Sequence, residues 1–218
     1  MRRVAVLTTA AVALAALPIA AESAAKPNTG LSLKAQPNPV VFHRAVTLSG
    51  KLTGTGHADQ TVVLQRDPFP YDSFVDAGTA KTNAGGQYTF TRHPSVNTRY
   101  RAQAGGKLSP VVTEKVRIRV SLRLSDSTPT AGHRVRFFGR ACPQHDGATV
   151  KLQRFSATRH RWVTKRKTVL RDIPGSTCSK YSKRLRVFHD GTFRTVVVSN
   201  DHNHANGISR KRFINVHA

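Results

Sequence analysis

The densest run of metal-capable side chains in the sequence is Asp201-His202-Asn203-His204. Two histidines two positions apart on a strand project to one face. With Asp201 or a further histidine they would supply the imidazole and carboxylate donors that zinc takes tetrahedrally. His133, His145 and His217 are the candidate partners. The run lies between Ser199 and Gly207, where turn residues crowd, so a solvated turn is the competing reading and no metal ligand is assigned. Paired carboxylates for glycoside hydrolysis are scarce. Glu114 is the only glutamate after residue 25, Asp72 and Asp76 are the nearest aspartate pair, and Asp67, Asp146 and Asp190 each precede Pro or Gly, where turn hydrogen bonding accounts for them. The sequence holds no Gly-x-Ser-x-Gly elbow, His-Glu-x-x-His, phosphate-cradling Gly-rich loop or Cys-x-x-Cys. A non-enzyme with no catalytic residue and no cofactor is expected.

Charge is the stronger signal. The 218 residues carry 35 Lys+Arg against 11 Asp+Glu, a net charge of +24. Residues 31–119 hold 12 basic and 5 acidic groups, and residues 120–218 hold 20 and 5. A surface of this kind attracts polyanions and releases their counterions. Arg161, Lys165, Arg166, Lys167, Lys183, Arg184 and Arg186 are the expected contact residues. No helix-turn-helix or RNA-binding signature accompanies them, so sequence-specific nucleic-acid recognition is not expected. A second reading is a carbohydrate-binding or adhesion module using Trp162 with surface aromatics such as Tyr71 and Tyr181. A third is a small metal-dependent hydrolase built on His202 and His204.

The compartment follows from the first 25 residues. Arg2-Arg3, an apolar run from Val4 to Ile19 and the small residues Ser23-Ala24-Ala25 have the order of a secretory signal peptide, and the run is short of the ~20 residues of a spanning helix. The expected product starts after Ala25 with a short tail at 26–30, is secreted or cell-wall associated, has no transmembrane anchor and is a monomer. In an oxidising compartment its two cysteines, Cys142 and Cys178, are expected to pair.

The elements that must position these residues are strands. Val46-Thr47-Leu48-Ser49, Thr61 to Gln65, Gln87-Tyr88-Thr89-Phe90, Arg134 to Phe138 and Lys115 to Val120 alternate apolar and polar side chains, with Gly, Asn and Asp turns between them. An internal repeat divides the chain. Val62-Val63-Leu64-Gln65-Arg66 recurs 88 positions on as Val150-Lys151-Leu152-Gln153-Arg154, and Phe74-Val75 as Trp162-Val163. Gly50 answers Gly139, Gly86-Gln87-Tyr88 answers Gly191-Thr192-Phe193, and Leu108-Ser109 to Val116 answers Ile208-Ser209 to Val216. On this alignment the second unit carries one 17-residue insertion between Trp162 and Gly191, which the disulfide clips to the exit of the neighbouring strand. Trp162 is expected in the core, as Phe74 is. The join at Val120 has no Gly/Pro linker.

Pro37-Asn38-Pro39, Val62 to Arg66, Asn83-Ala84-Gly85-Gly86-Gln87-Tyr88-Thr89-Phe90 and Asn97-Thr98-Arg99-Tyr100-Arg101-Ala102 together resemble the tandem Ig-like repeats of secreted bacterial, actinobacterial-type proteins. The Gly-x-Tyr-x-Phe step is also similar to carboxypeptidase-regulatory-like sandwiches. The resemblance implies a non-catalytic adhesion, spacer or accessory module. The expectation is thus an all-β protein of two tandem antiparallel Ig-like β-sandwiches, 31–119 and 120–218, that binds an anionic envelope polymer or acidic polysaccharide through the second.

Overall fold

The computed structural model describes residues 30–218; the expected leader at 1–25 and most of the tail at 26–30 lie outside the described residues. Strands account for all its regular structure. The first ten are β1 (Lys34–Gln36), β2 (Val40–Val41), β3 (Val46–Lys51), β4 (Thr61–Pro68), β5 (Val75–Lys81), β6 (Gln87–Arg92), β7 (Thr98–Ala104), β8 (Lys107–Leu108), β9 (Val112–Glu114) and β10 (Val116–Arg117). The rest are β11 (Arg119–Val120), β12 (Arg123–Leu124), β13 (Arg134–Cys142), β14 (Thr149–Ser156), β15 (Arg161–Val169), β16 (Ser179–Arg186), β17 (Gly191–Val197), β18 (Gly207–Ile208) and β19 (Arg212–Ile214).

The chain folds as two tandem Ig-like β-sandwiches. In the first, the antiparallel sheet β1-β3-β6 faces β5-β4-β7, with β8 and β9 both pairing β7. In the second, β11 and β12 pair one edge of β13 and β16 the other, and this sheet faces β15-β14-β17, with β18 and β19 on β17. β2 and β10 form a short parallel pair. Period-two alternation puts Leu48, Leu64, Tyr88, Tyr100 and Ala102 in one core and Phe137, Leu152, Tyr181, Phe193 and Val197 in the other.

A glycine beneath a tyrosine fixes each smaller sheet. Gly50 pairs with Tyr88 across β3 and β6, and the Tyr88 hydroxyl donates to the Ser32 carbonyl. Gly139 pairs with Tyr181 across β13 and β16, and the Tyr181 hydroxyl donates to the Ser121 carbonyl at 2.7 Å. A Cβ at Gly50 would strike the Ser32 carbonyl and the Tyr88 ring, and one at Gly139 the Ser121 carbonyl. Burial pushes the Tyr88 phenol up to about 12 and the Tyr181 phenol higher still, so each stays a donor. A second repeated device closes the larger sheets. Ser109 Oγ accepts the Ala102 N–H and Ser209 Oγ the Thr195 N–H, both at 2.9 Å, as the alignment of Ser109 with Ser209 anticipates.

The structure corrects the rest of the alignment. Tyr181, not Phe193, is the counterpart of Tyr88. Phe193 opposes Arg154 as Tyr100 opposes Arg66, so Gly191-Thr192-Phe193 belongs to the strand equivalent to β7. There is therefore no single long insertion. Part of the excess lies between β15 and β16, and part replaces the two-glycine turn Gly105-Gly106 of β7–β8 with the loop 198–206 between β17 and β18.

Glu114 is buried in the first sandwich, with Oε1 accepting the Val40 N–H at 2.8 Å. Burial pushes its carboxyl up to about 7. The native state then holds a proton that the unfolded chain, with an ordinary carboxyl, has released, so stability falls as pH rises from about 4.5 to about 7. The expected size is on the order of 3 kcal/mol, from ~1.4 kcal/mol per pH unit. Urea unfolding of the protein and Glu114→Gln across pH 4.5–8 should show the variant gaining relative to the parent through that window; parallel profiles would contradict the assignment.

Candidate functional site

The second sandwich places rows of cations on one sheet face. β13 turns Val135, Phe137 and Ala141 inward, which leaves Arg134, Arg136 and Arg140 on the solvent side. β16 turns Ser179 and Tyr181 inward and leaves Lys180, Arg184 and Arg186 outside. The ladder sets like against like: Arg134 opposes Arg186, Arg136 opposes Arg184, and Arg140 opposes Lys180. Arg123 of β12 joins the same face opposite Phe138, over whose ring Arg136 lies at 4.5 Å. Among the described residues, no carboxylate comes within 4.0 Å of any of these cations. Directly opposed like charges destabilise a sheet by roughly 0.2–1 kcal/mol per pair.

The expected contact residues divide between two strands. Arg184 and Arg186 belong to this face. Lys183 pairs with the buried Phe137, and with Arg166 of β15 it lines a groove along the open seam between the sheets, together with Arg134 and Phe188. Arg161, Lys165 and Lys167 are exposed on β15, the edge strand of the opposite sheet, and Lys167 opposes Lys151. Arg123, Arg134, Arg136, Arg140 and Lys180 were not among the expected residues. Their alternation with apolar neighbours is visible in the sequence, but their pairing is not.

Two expectations about aromatics fail. Trp162 is not in the core. It lies half-buried on the outer sheet face against Phe155, with the Arg194 guanidinium 4.2 Å and the Lys211 ammonium 5.9 Å from its ring centre. Phe74 is likewise half-buried outside the core, under Arg101 at 4.1 Å. Arg194 is held in place by its Nε–H donating to Gln153 Oε1 at 2.8 Å, as Arg101 is by Gln65. Tyr181 is buried in the core and presents no surface, and Tyr71 carries Arg99 over its ring at 4.1 Å. A flat sugar meets a guanidinium at both Trp162 and Tyr71.

A different cluster forms where the two sandwiches meet. The loop 198–206 reaches into the first sandwich. Asn97 donates its N–H to the Asn203 carbonyl at 2.8 Å and its Nδ2–H to the His202 carbonyl at 2.9 Å, while its Oδ1 accepts the Val116 N–H at 2.8 Å. Ala205 bridges to Val116 and Ile118. The expected Cys142–Cys178 disulfide forms and packs with Val40, Phe42, Val46 and Val116 of the first sandwich, so it joins the seam as well as holding the 171–178 loop. Beside it lie His145, Asp201 and His204, with His145 ring-to-ring against His204. His202 is exposed and offers this cluster nothing, and His133 and His217 are exposed elsewhere. Asp201 is partly desolvated, which works against its charge, but the Ser199 hydroxyl, His204 and the neighbouring His145 hold its carboxyl below the usual range.

Neither a protein-family model nor a curated protein matches this chain. Solved structures similar to it include a superoxide reductase (neelaredoxin) from Ignicoccus hospitalis at 11% identity and TM-score 0.33, covering 46% of this chain and 82% of that one. A marsupial T cell receptor matches at 12% identity and TM-score 0.33, over 85% of this chain and 71% of that one. A red sea bream transglutaminase matches at 12% identity and TM-score 0.39, over 87% of this chain and 31% of that one. Among the described residues no helix is long and apolar enough to cross a membrane.

Asn97→Ala leaves the Val116 N–H and the His202 carbonyl without their partner and is expected to destabilise by roughly 1–3 kcal/mol. Amide exchange should quicken at Val116 and Ala205 while Thr195 keeps its protection. Asn97→Asp, which retains an acceptor for Val116 but no donor for His202, should restore the first of these and not the loop.

Proposed function

We propose that this is a secreted, non-enzymatic protein of two sandwich units, 31–119 and 120–218, that binds an anionic cell-envelope or extracellular polymer through the second. The observation that supports this most is the like-charge ladder between β13 and β16, three cation pairs with no carboxylate within 4.0 Å among the described residues. Such a face weakens the fold unless an anion lies along it. Alternate residues on a strand are ~7 Å apart, so each row offers a linear polyanion two cations ~7 Å apart and a third ~14 Å further on, past Phe138 on β13 and Ser182 on β16. The groove with Arg166 and Lys183 extends the surface round the sandwich edge. Contact of this kind follows charge density and not base identity. The disulfide and the basic composition suit an extracellular setting. The carbohydrate reading is the weaker one, because Trp162 and Tyr71 already carry guanidinium groups and Tyr181 is buried.

The test sets stability against binding. Replacing Arg134, Arg136, Arg184 and Arg186 with Gln removes two opposed pairs, so Tm is expected to rise while co-sedimentation with anionic cell walls is lost. The parent's retention should fall steeply with salt and vanish on walls stripped of anionic polymer. Retention of the quadruple variant at the parent's level, or binding indifferent to salt, would overturn the proposal.

A further inference from the structure

His145, Asp201 and His204 bring three donor atoms within 4.8 Å of one another: His145 Nε2, His204 Nδ1 and one carboxylate oxygen. Asp201 Oδ2 lies 3.1 Å from His145 Nε2 and 3.2 Å from His204 Nδ1. Its other oxygen is already occupied. Oδ1 accepts from the Ser199 hydroxyl at 2.8 Å and from the Asn203 and His204 N–H groups at 3.1 Å, which holds Oδ2 toward the two rings.

The outer ring nitrogens fix the tautomer that each ring takes when neutral. His145 Nδ1 is 2.9 Å from the Pro143 carbonyl, and His204 Nε2 is 2.8 Å from the Ser95 carbonyl. A carbonyl only accepts, so each of these nitrogens carries the proton. In a neutral imidazole the inner nitrogen is then an acceptor, and here both inner nitrogens confront an acceptor oxygen. The His145 side chain is 2% exposed, and its Nε2, though 3.1 Å from Oδ2, has no aligned hydrogen-bond partner. With both rings neutral, two inward lone pairs and an inward carboxylate oxygen repel one another, and either a proton on an inner nitrogen or a cation held between the three atoms removes the conflict.

We propose that His145 Nε2, His204 Nδ1 and Asp201 Oδ2 bind one divalent transition cation of the zinc class at the seam between the sandwiches. Imidazole and carboxylate donors suit that class better than magnesium or calcium, which prefer oxygen alone. Both cysteines are held in the disulfide, so thiolate takes no part. Metal–ligand bonds of ~2.0–2.2 Å at tetrahedral angles separate adjacent donors by ~3.3 Å, close to the two distances observed. A ligating histidine ordinarily donates its second N–H to a carbonyl or carboxylate, and both rings already do so. Both rings are buried, and only Asp201 opens toward water, the side left for a fourth donor. The cation ties the β13–β14 loop to the 198–206 loop and, through the His204 N–H, braces the contact with Ser95 of the first sandwich.

The test uses chelator-treated protein titrated with Co2+ and then Zn2+. One Co2+ per chain is expected, with the visible absorption of a low-symmetry nitrogen–oxygen site, displaced by Zn2+, and Zn2+ is expected to raise Tm. His145→Gln and Asp201→Asn should each weaken binding by at least about 100-fold, since even outer partners of ligands cost 10–100-fold. Asp201→Asn keeps the acceptor for Ser199, Asn203 and His204, so the loop stays ordered. His202→Gln should bind as the parent does. Failure of the parent chain to take up one equivalent overturns the proposal whatever the variants do. So does uptake that survives both substitutions or is lost in His202→Gln.

Discussion

Asn97 commits every polar group it has. Its N–H and amide donors hold two carbonyls of the 198–206 loop, its side-chain oxygen accepts from Val116, and its own carbonyl accepts from Phe69. The loop it holds carries Asp201 and His204, and His204 in turn reaches Ser95. The start of β10 and the loop that carries Asp201 and His204 are therefore held to the first sandwich through one buried amide. A buried donor or acceptor left unpaired costs more than the bond contributes when made, so these contacts stand or fall as a group.

The cationic face relies on a different support. Opposed arginines would drive β13 and β16 apart if side chains alone decided the pairing. The two strands stay together because Val135, Phe137, Tyr181 and Leu185 close over the core beneath them and Tyr181 lies on Gly139. Burying side chains of this size contributes ~1.5–3 kcal/mol each, well above the repulsion of a solvated cation pair. The inner face thus fixes the register that the outer face opposes, and charge can be concentrated there without loss of the sheet.

Much of this was legible in the sequence, for identifiable reasons. Alternation and glycine-marked turns exposed the strands, and the match of Val62–Arg66 with Val150–Arg154 exposed the repeat, because both are local. The paired cysteines and the Ser109/Ser209 correspondence also held. The register failed after Trp162 because Gly191-Thr192-Phe193 imitates the Gly-x-Tyr step, while the true equivalent, Tyr181, has no glycine before it. Trp162 was misplaced because it was matched to Phe74 and both were read as core residues, whereas Arg194 and Gln153 provide for it on the outside. The sequence nominated Asp201, His204 and His145 among several candidates. Choosing between His145 and His202 required the contact between the β13–β14 loop and the 198–206 loop, which no local pattern records. The arginines of β13 were overlooked because a charge row needs a partner strand to become a face.

Asp190 gives the joint between the sandwiches a direction. It occupies in the second sandwich the place of Asn97 in the first, and its Oδ1 accepts the Val216 N–H at 2.6 Å as Asn97 accepts from Val116. A carboxylate closes the terminal strand as well as an amide does, but it has no N–H to offer an incoming loop. The first sandwich is therefore a socket without a plug, since its β7–β8 turn is only two glycines, and the second is a plug without a socket. A head-to-tail contact propagates into a filament only when each unit carries both halves. Here only Asn97 of the first unit carries the side-chain N–H that the loop of the other takes, so the joint between the two runs one way.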